Sequence, residues 1–463
     1  MYTKLGLFIG GKWIYEASKG ENVLNPADES ILGWLPHASK DDLNNALKSS
    51  ERGFDEWKNT HPDKRSQVIL RAADILAEKA SQVSKVMTLE QGKPLAESIG
   101  EINQSIAILK FNGTNAKLIK DELVADRDNG LKTFIKPQPL GICLCLTAWN
   151  FPIALVIRKI APALAAGCSV IIKPSEETPG TAIEVVKIFQ EAGLPKDVIN
   201  LVFGVPHEIS DYLLSRDEVK KVSFTGSVPV GKLLAKKSAE TLKRCTLELG
   251  GHSPAIIAED ANIEKTLDIL TGFKFRNAGQ VCIAPSRFYV HEKIYDKVRD
   301  GFVSRLKKIK LGNGISDGVT MGPLSNSRRI AAMQDFVDYA VKNGSNLLCV
   351  GKRHEVVGYF LDLTIIEYIH EDSKIMDQEI FGPILPLFKF NDYDDVIAKA
   401  NSLNYGLASY VYTASETLQN KMAKEIIAEF DSPELAAERA ETEKATSTEV
   451  KKDGFDDKWS AEW

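Results

Sequence analysis

From Gly141 onward, short apolar runs at Ile142–Thr147, Ser169–Lys173, Ile199–Val202 and Lys221–Phe224 alternate with longer stretches of helical spacing. Parallel strands cannot be joined by tight turns and need crossovers of about a dozen residues or more. The alternation is therefore that of βαβ units, and the expected fold is α/β with a parallel sheet of nucleotide-binding type. A second alternating region begins after Gly251, with a helix near Asn262–Phe275, a strand near Phe288–His291 and a helix near Tyr295–Lys308. The chain has 463 residues, more than one core usually organises, and roughly 150 residues per unit suggests about three.

Before Gly141 the pattern changes. Phe8-Ile9-Gly10-Gly11-Lys12-Trp13 reads as a short strand and turn. Ile69, Ala72, Leu76, Ala80, Val83 and Met87 recur at helical steps and predict one long helix with a single apolar face. Between Glu122 and Lys136, strand-like runs flank Asn129-Gly130, a pair suited to a two-residue hairpin turn. Residues 431–463 carry ten acids and five bases with almost no aliphatic side chains, a composition that predicts a disordered acidic tail. Within it Phe455, Trp459 and Trp463 recur every four residues.

A formal net charge of -5 provides no surface for polyanions, which argues against nucleic acid as a partner. Pro137 to Ile157 is free of charged residues, but Trp149-Asn150-Phe151-Pro152 interrupts it and Arg158-Lys159 follows. A buried strand running into a helix explains it better than a membrane span. The cysteines at 143, 145, 168, 245, 282 and 349 form no Cys-x-x-Cys pair and no secretory leader is legible, so a reducing, cytoplasmic setting is expected. The histidines have no metal-binding spacing, and no metal is expected.

The chemistry concentrates in Phe275-Arg276-Asn277-Ala278-Gly279-Gln280-Val281-Cys282 and in Glu248-Leu249-Gly250-Gly251, which ends 31 positions before Cys282. A thiol with a pKa of about 8.5 is mostly protonated at neutral pH, so a working cysteine needs neighbouring help. Glu248 ends an apparent strand, where its carboxylate would face a cleft and could act as a base. The two segments together resemble the aldehyde dehydrogenase superfamily. That resemblance implies a parallel-sheet cofactor domain over 1–118 and 138–248, a bridging hairpin over 119–137, and an α/β catalytic domain over 249–430. It also implies Cys282 as nucleophile, Glu248 as the base that activates the hydrolytic water, and Asn150 as the amide donor to the thiohemiacetal oxyanion.

The cofactor side is read the same way. Strand Lys221–Phe224 runs into Thr225-Gly226-Ser227 and then a helix from about Pro229, and a helix N-terminus of this kind favours phosphate. No Gly-x-Gly-x-x-Gly fingerprint is present. The resemblance gives Gly226 and Ser227 to the phosphates, Lys173 and Glu176 to the adenosine ribose, and Glu379 and Phe381, in Glu379-Ile380-Phe381-Gly382-Pro383, to the nicotinamide end. Trp149 joins the cofactor-binding set. An acid at 176 would repel a 2′-phosphate, so NAD is favoured, with NADP as the second possibility.

Arg158 lies eight residues after Asn150 and Arg276 six before Cys282, and guanidinium groups suit bidentate carboxylate recognition. These two, with Thr88-Leu89-Glu90-Gln91-Gly92-Lys93-Pro94, resemble the branch acting on succinate semialdehyde. Cys282-Ile283-Ala284-Pro285 and Gly251-His252 are more similar to 2-oxoglutarate semialdehyde enzymes. The implied substrate is a small aldehyde ending in a carboxylate. The resemblance spans about residues 5 to 425, and a homo-oligomer is implied, although the strand that family members use at subunit contacts is not legible afterwards. The competing reading is an inactive member that retains nucleotide or partner binding; a CoA-acylating enzyme, which would not need Glu248 as base, is the third.

Overall fold

A computed structural model describes residues 2–126, 132–349, 357–370 and 373–428. The Asn129-Gly130 turn and the acidic tail with its aromatic stripe lie outside the described residues.

The chain opens with hairpin β1 (Leu7–Ile9) and β2 (Lys12–Ile14), turned by Gly10 and Gly11, both at positive φ. A two-stranded sheet of its own follows, β3 (Gly20–Leu24) against β4 (Ile31–Pro36). The helices are α1 (Lys40–Lys58), α2 (Pro62–Glu78), α3 (Ala80–Gln91) and α4 (Leu95–Asn115). The single long helix expected through Ile69 and Met87 is thus two, broken at Lys79, whose φ and ψ of -98° and 8° leave the helical region. Ile69, Ala72, Leu76, Val83 and Met87 are all fully buried, so the apolar face continues across the break.

Strands β5 (Glu122–Asp126) and β6 (Lys132–Ile135) pair antiparallel as an isolated hairpin. Leu123, Val124, Phe134 and Ile135 are exposed on it.

The βαβ expectation from Gly141 is met: β7 (Ile142–Leu146), α5 (Pro152–Ala165), β8 (Ser169–Lys173), α6 (Pro179–Glu191), β9 (Ile199–Leu201), α7 (Pro206–Leu214), β10 (Val219–Gly226), α8 (Val228–Ala239) and β11 (Arg244–Leu249). The sheet order is β11-β10-β7-β8-β9-β1-β2. β11 through β9 are mutually parallel, while β1 pairs antiparallel with β9 and β2 with β1. After β9 the chain crosses to the far side of β7 to lay down β10, so strand order reverses between β7 and β10. At such a reversal the loops diverge to either side and leave a crevice outside the carboxyl ends of the strands. Asn150 follows β7 and Ser227 follows β10, both at that crevice.

The second sheet is ordered β14-β15-β16-β13-β12-β17, with β12 (Pro254–Ile257), β13 (Arg287–His291), β14 (Asn346–Cys349), β15 (Thr364–Glu367), β16 (Ile384–Phe390) and β17 (Tyr410–Tyr412). It is parallel apart from β14. Helices α9 (Ile263–Phe275), α10 (Tyr295–Leu306), α11 (Ser327–Lys342), α12 (Lys374–Asp377), α13 (Tyr393–Ala400) and α14 (Glu416–Glu425) complete it. Each sheet has its own main apolar core. Only Gly250 to Ser253 separate β11 of the first sheet from β12 of the second, which brings the carboxyl ends of one sheet against the amino ends of the other. Among the described residues no helix is long and apolar enough to cross a membrane.

Candidate active site

Cys282 lies in a turn between α9 and β13, and the turn is set by unusual backbone. Asn277 (φ 51°) and Ala278 (φ 52°) are left-handed without being glycine, and Gly279 (φ 76°) continues the run. Each non-glycine residue there costs roughly 1–2 kcal/mol, so surrounding contacts must hold it. Asn277 supplies several: its N–H donates to Glu97 Oε2 at 2.8 Å, its Nδ2 to the Asn150 carbonyl at 2.9 Å, and its Oδ1 accepts from Gln91 Nε2 at 2.7 Å. A Cβ on Gly279 would stand 2.2 Å from the Gly382 carbonyl oxygen, so no side chain fits. Gln280 is buried, accepting from Ser325 N–H at 2.9 Å and donating to the Asn277 carbonyl at 3.0 Å.

Asn150 is 4% exposed, and its Nδ2 donates to the Gln280 carbonyl at 3.1 Å, which aims the amide at the turn carrying Cys282. Glu248 sits on edge strand β11, accepting from Thr225 Oγ1 at 2.6 Å and from Lys159 Nζ at 3.4 Å. Burial works to raise its pKa, but the Lys159 ammonium and the Thr225 hydroxyl outweigh it and hold the carboxyl below its usual value. The Cys282 thiol is pushed up, first by burial and then by the Glu379 and Glu248 carboxylates, against the backbone N–H of Ile283. Both carboxylates thus act on the thiol.

Gly250 and Gly251 make this possible. A Cβ on Gly250 would lie 2.2 Å from Glu379 Oε2, and one on Gly251 would lie 3.2 Å from the Cys282 carbonyl. Glu379 is driven up to about 7 by burial, opposed by the Gly251 N–H, Arg329 and Lys274. Among the described residues its Oε1 has no hydrogen-bond partner, and neither has Lys274 Nζ, a fully buried ammonium drawn down to about 7 by burial.

At the crevice Lys173 Nζ meets Glu176 Oε2 at 2.6 Å. Both side chains are largely buried, so this is no surface ion pair. Glu176 Oε1 also accepts from Gly204 N–H at 3.0 Å, leaving the carboxylate fixed at the lip of a cleft of about 460 Å³ that Trp149 and Ser175 also line. Trp149 packs edge-on against Phe381 at 5.6 Å. Gly226 ends β10, and Ser227 precedes α8 without capping it through its side chain, so the N–H groups of Val228 and Val230 remain available to an acceptor while Pro229 has none to offer. The orphaned Glu379 oxygen, the uncapped helix and the fixed Glu176 form a donor and acceptor set that suits a dinucleotide.

Arg158, on α5, and Arg276 line one cavity of about 730 Å³, walled also by Phe151, Ala107, Ile108 and Phe111. Arg276 lies 5.2 Å over the Phe151 ring. Of the residues singled out from the sequence, Trp149 and Glu176 line the crevice cleft and Arg158 and Arg276 share this cavity, while Cys282, Glu248 and Asn150 line neither. Lys159, Thr225, Lys93, Glu101 and Asn277 were not singled out. Among the described residues no group of three or more His, Cys, Asp or Glu could hold a metal ion.

A parallel-sheet crevice and a strained cysteine turn lie on either side of a Gly-Gly junction in this α/β fold. A profile of the aldehyde dehydrogenase family matches residues 13–430, and the chain belongs to that family. It is 37% identical over 409 residues to mitochondrial succinate-semialdehyde dehydrogenase of Arabidopsis thaliana, covering 88% of this chain and 77% of that one. It is 35% identical over 406 residues to the NADP(+) succinate-semialdehyde dehydrogenase of Escherichia coli K12, covering 87% and 84%. The crystal structure of succinate-semialdehyde dehydrogenase from Burkholderia pseudomallei superposes with a TM-score of 0.89 at 33% identity, over 91% of this chain and 88% of that one.

Because the thiol is raised, alkylation of Cys282 by iodoacetamide should accelerate as pH rises through the alkaline range. Glu379→Gln removes one of the charges responsible, so its profile should move to lower pH. An unshifted profile measured by mass spectrometry would show that Glu379 does not face the thiol.

Proposed function

We propose that the protein oxidises a short aldehyde ending in a carboxylate, such as succinate semialdehyde or 2-oxoglutarate semialdehyde, to the corresponding acid. The observation that carries this is the shared cavity of Arg158 and Arg276 beside the cysteine turn, in a member of the aldehyde dehydrogenase family. The Cys282 sulfur adds to the carbonyl carbon, giving a thiohemiacetal whose oxygen takes up negative charge. Asn150 Nδ2 and the Cys282 backbone N–H would donate to that oxygen, and such donors contribute most when already in place. Once hydride has left that carbon the bound group is a thioester, and Glu248, held ionised by Lys159, would take a proton from the water that cleaves it, returning the thiol and releasing the acid. Charge-assisted contacts from the two arginines would orient the substrate's carboxylate.

The dinucleotide supplies hydride acceptance when bound. Lys173 and Glu176 would hold its adenosine ribose, Gly226 and Ser227 its phosphates, and Glu379, Trp149 and Phe381 its nicotinamide end. Glu176 is immobilised by Lys173 and Gly204, so a 2′-phosphate would meet a fixed negative charge, which supports NAD over NADP.

Purified protein should form NADH from succinate semialdehyde, and Cys282→Ala should abolish this with the fold intact; turnover in that variant would reject the reading. Glu248→Gln should leave a burst of NADH followed by slow steady-state turnover, and equal slowing of both phases would remove it as hydrolytic base.

Arg158→Leu and Arg276→Leu should each raise KM for succinate semialdehyde about 10- to 100-fold, the equivalent of a charge-assisted hydrogen bond worth about 1.5–3 kcal/mol. An uncharged aldehyde of similar length should be little affected. Glu176→Ser should improve kcat/KM with NADP relative to NAD, and an unchanged ratio would place cofactor choice elsewhere.

A further inference from the structure

Lys93, in the connection between α3 and α4, is 1% exposed. A buried ammonium is tolerated only where its charge is paired and its donors are used. Its Nζ lies 2.5 Å from Glu101 Oε2 and donates to the Asn150 carbonyl at 2.8 Å, with the Phe151 ring centre 4.3 Å away. The other oxygen of Glu101 accepts from the Ile153 and Ala154 N–H groups, both at 3.1 Å. One carboxylate thereby satisfies two open donors in the first turn of α5 and puts negative charge at the positive end of that helix.

The Asn150 carbonyl has a second donor, Asn277 Nδ2, which comes from the cysteine turn. Gln91 closes the circuit: its Nε2 donates to Asn277 Oδ1 at 2.7 Å, and its Oε1 accepts from the Lys93 N–H at 3.0 Å. A carbonyl gripped by two donors cannot rotate its peptide plane without losing both. That plane sets the direction in which the Asn150 side chain leaves the backbone, and hence whether its amide reaches the Gln280 carbonyl.

We propose that Lys93 and Asn277 are positioning residues for the reaction assigned above: by clamping the Asn150 carbonyl they keep the Asn150 side-chain amide at the cysteine turn, where the oxyanion develops. The inference rests on that functional reading. It differs from a purely structural role because its effect must pass through one side chain. A network that merely stabilises the fold would cost as much in a protein lacking the Asn150 amide as in one possessing it.

The test is single-turnover NADH formation from succinate semialdehyde at saturating NAD. It compares wild type, Lys93→Met, Asn277→Gly, Asn150→Ala, and each of the first two variants combined with Asn150→Ala. Glycine keeps the positive φ of position 277 and removes only the amide, so Asn277→Gly carries the test if Lys93→Met fails to fold. Each single variant should slow the burst on the order of 100-fold, the cost of misplacing a catalytic group by about 1 Å, with NADH affinity unchanged. Neither should slow it further once Asn150 is alanine. Wild-type rates in the single variants, or losses that multiply with that of Asn150→Ala, would overturn the proposal.

A crystal structure of Asn277→Gly supplies a readout independent of turnover. The Asn150 amide should leave the Gln280 carbonyl, and an unchanged contact overturns the positioning role whatever the activity. A folded wild type that makes no NADH from any semialdehyde would instead overturn the functional reading alone.

Discussion

The site depends on two successive residues that have no side chain. Gly250 and Gly251 join the edge strand of the first sheet to the second, and the space a Cβ would need is taken by Glu379 Oε2 at one position and is shared with the Gly406 and Cys282 carbonyls at the other. Backbone lies against backbone there. In consequence Glu379 Oε2 lies against Gly250 and the Cys282 carbonyl against Gly251, and the Glu379 and Glu248 carboxylates both raise the proton affinity of the thiol. Two carboxylates beside a thiol would be an unfavourable grouping alone. Lys159, Lys274 and Arg329 are the positive charges arranged around it.

Strain in the cysteine turn is tolerated because other elements hold it in place. Left-handed residues at 277 and 278 are unfavourable, yet the turn is tied to α4 by Glu97, to α3 by Gln91 and to the segment after β7 by Asn150. Three elements distant in sequence fix one short loop, and the buried polar groups of that loop are nearly all hydrogen-bonded. Networks satisfied this fully in a medium of low polarity specify one geometry rather than several.

Much of this was legible in the chain itself. The strands from Ile142 to Gly226 could be read because each is a short, almost wholly buried run and each crossover is long enough for a helix. The break at Lys79 could not, because α2 and α3 bury the same face and one non-helical residue hardly disturbs the spacing of Ile69, Leu76, Val83 and Met87. Strands β3 and β4 mix exposed and buried positions and were not anticipated. Cys282, Glu248 and Asn150 lie in compact motifs, which is why they could be singled out, and Asn150 donates to the turn that carries Cys282. Lys93 and Glu101 are eight residues apart and pair only through tertiary folding. The available signal was Glu101 itself, a charge on the face of α4 that also carries Ser98, Ile102, Ser105 and Leu109, all buried. Lys159 was hidden in the same way, by an apolar helix whose neighbours gave no hint of a distant acid.

That β11 is the outermost strand of its sheet has a consequence for protons. Among the described residues it has β10 on one side and no strand on the other, and the Glu248 side chain keeps 44% of its surface in solvent while its partner Lys159 keeps 2%. The Glu248 carboxylate is thus open to bulk water at the sheet edge, whereas Lys159 donates from the interior to it and to Ser223 Oγ. Of the pair, Glu248 is therefore the member that exchanges protons directly with solvent, at the edge of a sheet.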